Sequence, residues 1–214
     1  MRVLILGGLT ESGGFCQHLR GILASSRVPA DIEVVILGSD ELFHALGPLA
    51  ENVSFYKAPN IANMSKLMDI TWWLHVFPSV LRQVSPHVIF DPNGYMPISY
   101  ADIPSVAMSQ NLLPFDIREI MRYAPHKFAM QLLLSRMRHA RAFKKAAGVI
   151  FVSEYSRNQI MRAVSHIEQS TVIYHGIDSY FMLPEPRAHI LHEPIHLLYV
   201  SSIHLYKHHA SVVK

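Results

Sequence analysis

The stretch Arg2–Gly14, RVLILGGLTESGG, decides how this chain folds. Val3–Leu6 is an unbroken apolar run, the pattern of a strand covered on both faces. Gly7–Gly14 is a glycine-rich turn, and FCQHLRGIL behind it has helical spacing. A strand, a polar turn and a helix start form an anion-binding unit, because free backbone N–H groups and the positive end of the helix dipole face the turn. The same order returns near the end, where IHLLYV (195–200) reads as a buried strand and SSIHLYKHH places Lys207 at a helix start.

Working outward, similar runs predict strands over 2–6, 32–37, 53–56, 87–90, 105–108, 149–152 and 171–174. Helical patterns fall near 14–26, 40–50, 63–84, 115–146 and 154–164. Their alternation predicts an α/β fold, a Rossmann-like doubly wound parallel sheet. Residues 1–180 form the first domain and the proline-punctuated segment 181–194 a linker. Residues 195–214 are expected to begin a second domain that is cut short. Ligands of such sheets sit at the carboxyl ends of the strands. That edge gathers Gly7–Gly14, Gly38–Asp40, Asp91–Gly94, Ser109–Asn111, Ser153–Glu154 and His175–Asp178.

Composition narrows the class. Of 214 residues, 50% are hydrophobic and 16% charged, which describes a globular chain and excludes a disordered one. The single cysteine, Cys16, cannot form an internal disulfide, so a reducing, cytoplasmic setting is expected. On the first helix it reads as a small buried residue rather than a nucleophile. The start is not a signal peptide, and no run reaches the length of a membrane span. ITWWLHVFPSVL (70–81) reads as a buried helix kinked at Pro78.

Five segments carry the candidate chemistry, and each has a plain structural reading beside the functional one. Gly13 and Gly14 would let a phosphate or sugar approach the backbone, or simply give a flexible turn. The spacing is neither the dinucleotide fingerprint nor a P-loop. Gln110 and Asn111 follow a strand and could bond a sugar hydroxyl, or serve the turn before Pro114. Ser153, with Ser156 as the shifted alternative, reads as a helix N-cap worth about 1 kcal/mol. In VIYHGID, Gly176 permits a left-handed turn, Asp178 can cap the next turn of chain, and His175 is the residue to face a cleft. Lys207 could hold a diphosphate as a point charge, or be a surface lysine.

In order and spacing these segments resemble the retaining, GT-B-fold glycosyltransferases of family 4 (group 1). The pattern is a Gly-Gly loop after the first strand, Q-N-x-x-P-F, G-V-I-F-V-S, V-I-x-H-G-I-D-x-x-F, and L-L-Y-V-S-S-I before Y-K-H. The likeness spans the family's N-terminal domain and the first strand of its C-terminal one. It implies transfer of a sugar from a nucleotide-sugar donor to a glycan or lipid-linked acceptor, with retention at the anomeric carbon. It implies donor binding by Gly13, Gly14 and Lys207, and an acceptor cleft near Gln110, Asn111, Ser153 and His175. No metal or other cofactor is expected. The family's arginine beside the lysine is replaced by Ser201-Ser202, and no general base is marked. A GT-B-fold nucleotide-sugar epimerase, or a non-catalytic sugar- or membrane-binding α/β module, is the alternative.

The net charge is +3, and the basic residues cluster. Between 118 and 145 lie Arg118, Arg122, Lys127, Arg136, Arg138, Arg141, Lys144 and Lys145 against Glu119 alone. An ordinary helix with a solvated basic face is one reading, and peripheral contact with an anionic membrane the other. Nucleic acid is not expected, because aromatic residues are not interleaved with the cations. The histidines of HILHEPIH and HLYKHH lack the spacing of a metal site.

Overall fold

The computed structural model describes residues 1–7, 14–24, 28–58, 71–96, 102–177 and 198–213. Its elements follow the alternation of the sequence. They are β1 (Arg2–Leu6), α1 (Gly14–Leu23), β2 (Glu33–Gly38), α2 (Asp40–Leu46), β3 (Val53–Lys57), α3 (Phe77–Val84) and β4 (Val88–Asp91). There follow β5 (Ser105–Ser109), α4 (Ile117–Met121), α5 (Lys127–Lys145), β6 (Gly148–Phe151), α6 (Glu154–Ala163), β7 (Ser170–Val172) and α7 (His209–Val212). The strands form one parallel sheet in the order β3-β2-β1-β4-β5-β6-β7. The chain winds outward from β1 to β3, then returns to place β4 on the other side of β1. The β1/β4 boundary is the switch point where such sheets open a crevice.

Side-chain alternation sends each strand to two cores. Leu4 and Leu6 of β1 join Val35, Leu37 and Ile89 beneath Phe77, Val80, Leu81 and Val84 of α3. Ile5, Val34 and Ile36 face the other way, onto Phe15, Cys16, Leu19 and Leu23 of α1 and Leu42 and Leu46 of α2. Cys16 is therefore a buried packing residue. A third cluster joins Ala107, Val149 and Phe151 to Phe115, Phe143 of α5 and Ile160 of α6. Leu4, Leu19, Ile36, Phe77, Ile89, Phe143 and Phe151 are fully enclosed.

Several expectations from sequence need correction. The helix expected over 115–146 is three pieces: a 3-10 turn at Leu113–Phe115, then α4, then α5. Pro125 lies in the gap; it has no N–H to give and disfavours helical geometry at the residue before it. The helix expected over 40–50 stops at Leu46, because Gly47 turns to φ +74° and Pro48 follows. The kink expected at Pro78 takes the form of a π-helical turn, Trp72–Val76, in which Phe77 N–H reaches back to the Trp72 carbonyl. Pro78, which cannot donate, then sits in the first turn of α3. The last strand ends at Val172, and Gly176 does not take the left-handed conformation allowed to it. Of the strand expected over 195–200, Leu198–Val200 lie in no strand and are open to solvent. No neighbour among the described residues offers them a ladder of hydrogen bonds. The linker 181–194, Gly13 and Asp178 lie outside the described residues.

Candidate functional site

Because the strands are parallel and in register, the ends of β1, β4, β5, β6 and β7 share one edge. Gly7 leaves β1 with its N–H bonded to the Leu37 carbonyl at 2.8 Å. A Cβ there would stand 2.7 Å from that oxygen and 2.4 Å from Leu42, so only glycine fits the turn out of β1. Gly14 opens α1, exposed, with no atom of the described residues outside its own helix and chain neighbours within 4 Å of where its Cβ would be.

Among the described residues, the densest polar structure at the edge belongs to the loop after β4. Asp91 is buried, and its carboxylate accepts backbone N–H groups from Asn93, Tyr95 and Met96 at 3.1, 2.5 and 2.6 Å. Gly94 at φ +62° completes the turn; a Cβ would meet Phe143 at 2.6 Å and the Met108 carbonyl at 2.7 Å. Burial pushes the Asp91 carboxyl up to about 6, against the pull of these amides and of His139. His139 on α5 is held below the usual imidazole range by its own burial, offset by the Ser135 carbonyl and by Asp91. Its Nδ1 lies 2.8 Å from that carbonyl oxygen, so Nδ1 carries the proton. Arg138 donates to the Tyr95 hydroxyl and stacks on its ring. Asp91 spends its oxygens on the loop backbone, which makes it a positioning residue for residues 93–96.

Gln110 Nε2 donates to the Pro92 carbonyl at 3.0 Å, tying the end of β5 to this loop. Asn111 Oδ1 accepts from Leu113 N–H at 3.0 Å, the turn reading of that residue, and remains exposed. Ser153 caps α6: its Oγ accepts from Ser156 N–H at 3.1 Å, and Ser156 Oγ donates to the Ser153 carbonyl at 2.9 Å. His175 is exposed beyond β7, and its ring meets His18 of α1 edge-on at 4.9 Å. Burial and the neighbouring His175 lower the pKa of His18. This contact brings the chain after the last strand back over the helix after the first. Lys207 lies in a 3-10 turn at Leu205–Lys207, its Nζ 4.9 Å from the Tyr206 ring centre. That turn reaches the first domain at α4, where Tyr206 N–H meets the Tyr123 hydroxyl at 3.3 Å and His208 lies 3.3 Å from Glu119.

Sequence reasoning put Asp91 on the right edge but did not see its partners. His139 sits mid-helix, where nothing in the local pattern marks it. The D-P-N-G turn directly after a strand was the available signal. A depression lined by Met1, Arg2, Asp31, Glu33, Asn52 and His87 lies at the opposite end of the strands, away from the switch point. Among the described residues no three His, Cys, Asp or Glu side chains converge as metal ligands.

No protein-family model matches the sequence, and no curated protein matches it. Solved structures do match in fold. Sucrose-phosphate synthase from Thermosynechococcus elongatus superposes with a TM-score of 0.59 at 10% identity, over 83% of this chain and 48% of that one. A UGT of Glycyrrhiza uralensis, complexed with glycyrrhetinic acid 3-O-monoglucuronide, gives 0.48 at 10% identity over 80% and 48%. UDP-GlcNAc 2-epimerase from Neisseria meningitidis, bound to UDP-GlcNAc, gives 0.46 at 14% over 80% and 46%. The chain therefore spans about half the length of the proteins it resembles. Its sheet is the Rossmann-like α/β domain of the GT-B architecture.

Proposed function

We propose that this chain is the acceptor-side part of a glycosyltransferase that moves a sugar from a nucleotide-sugar donor to a glycan or lipid-linked acceptor. The observation that supports it is the gathering of the β1 turn, the Asp91-braced loop, Gln110, Asn111, Ser153 and His175 at the carboxyl edge of a GT-B-type sheet. Gly14, exposed at the start of α1, suits the donor's phosphate or sugar. The motif order favours the retaining family 4 branch, and the single cysteine favours a reducing cytoplasmic setting.

In this reading Lys207 stabilises the negative charge that grows on the departing nucleoside diphosphate as the sugar–oxygen bond breaks. A fixed ammonium does this as a point charge. The acceptor hydroxyl attacks from the same face, and its proton passes to the departing phosphate oxygen, so the anomeric configuration is kept. In the complete protein, Lys207→Ala should lower kcat/KM about 100-fold or more. Turnover assays with a panel of nucleotide sugars check it, and wild-type rates in that variant remove Lys207 from the mechanism. NMR of the first-formed product reads retention directly.

A further inference from the structure

Helix α5 carries two apolar faces, and the core needs only one. Leu132, Ala142 and Phe143 point inward and are buried. Met130, Leu133, Leu134 and Met137 follow the i, i+3, i+4, i+7 rule on the opposite side and are exposed by 60, 37, 41 and 68%. This stripe runs about 10 Å along the helix. Lys127, Arg138 and Lys145 border it on one side, and Arg141 and Lys144 continue it toward the helix C-terminus, all exposed. The helix contains no carboxylate, and among the described residues no carboxylate pairs with these cations; Arg138 donates to the Tyr95 hydroxyl and Lys144 to Ser165 Oγ, both neutral partners.

We propose that this face of α5 docks on an anionic lipid surface, with Met130, Leu133, Leu134 and Met137 at the headgroup–acyl boundary and the flanking Lys and Arg on lipid phosphates. Charge complementarity selects the occupant. A second copy of this chain would set one carboxylate-free cationic face against another, which repels, whereas an anionic bilayer satisfies stripe and cations together. Unbranched methionines and leucines adapt to a fluid partner. Each basic residue near such a surface contributes roughly a five-fold factor in partitioning. The inference stands on α5 alone and does not depend on glycosyl transfer.

The test is vesicle flotation of the 214-residue chain on phosphatidylcholine alone and on phosphatidylcholine with about one third phosphatidylglycerol. Binding at least about ten-fold stronger to the anionic vesicles, and weakened by salt, is expected. Arg141→Gln with Lys145→Gln should abolish most of that preference. Serine at all four apolar positions should lower binding by about ten-fold at unchanged circular dichroism. Leu134→Trp, which alone decides the matter if the serine variant does not fold, should add a blue-shifted emission component on anionic vesicles only. No binding, equal binding to both vesicles, no such component from the Leu134→Trp variant, or a dimer that the serine substitutions dissolve would each overturn the proposal.

Discussion

Asp91 is pulled in two directions: burial favours its neutral form, and three backbone amides favour the carboxylate. Burial wins, so its pKa rises from 3.8 to about 6. Between those two pH values the folded chain keeps a proton that the unfolded chain has lost. Its contribution to stability is therefore complete below about pH 4 and falls away as pH rises through 6, by at most about 3 kcal/mol. His139 works the other way, because a lowered pKa makes the fold lose stability as pH falls below 6.5. Comparing the protein with its Asp91→Asn variant isolates the first effect. Across pH 4 to 7 the wild type should lose stability relative to the variant in chemical denaturation. A flat difference would mean that Asp91 is ionised throughout. The same residue shows how far the sequence could be read: its place at a strand end was legible, whereas its electrostatic coupling to His139 depends on how α5 crosses the sheet.

At the scale of elements, capping follows local rules and was legible. Ser153 has extended backbone and satisfies an orphan N–H at the start of α6, as the S-E-Y-S order predicts. Ser153→Ala should cost about 1 kcal/mol, read as a shift in urea midpoint with unchanged slope. No shift would mean that Ser156 or water takes over the cap. Helix ends were read less well. The pattern of 115–146 is continuous in apolar period, and Pro125 alone marks the break that separates α4 from α5. That break lets Glu119 of α4 and Tyr123 beyond it meet the 205–208 turn while α5 packs through Phe143 onto β5 and β6.

At the scale of the whole molecule, protection should grade outward from the switch point. β1 and β4 lie inside the sheet, between two helical layers, and Leu4 and Ile89 are fully enclosed. Residues 198–213 touch the domain through few side chains, and Leu198, Ile203 and Val213 are about nine-tenths exposed. Hydrogen exchange should be slowest in β1 and β4 and fastest in 198–213. Comparable protection in both would show that the terminal segment is built into the core. The contacts of Tyr206 with Tyr123 and of His208 with Glu119 set the turn that carries Lys207 against α4 and the residue pair just beyond it.

By itself the sequence determined the class and layering of this protein. Runs such as VLIL and VVIL are local, and their lack of alternation already requires cover on both faces. The turn residues at the strand ends are local too, so the edge that carries the candidate site followed. Tertiary structure alone decided which of those residues meet. Asp91 finds His139, and His18 finds His175, because the order of strands and the path of the helices bring distant parts of the chain together. It alone decided that one apolar stripe of α5 is buried and the other faces solvent, since helical period defines a face and only packing assigns its partner.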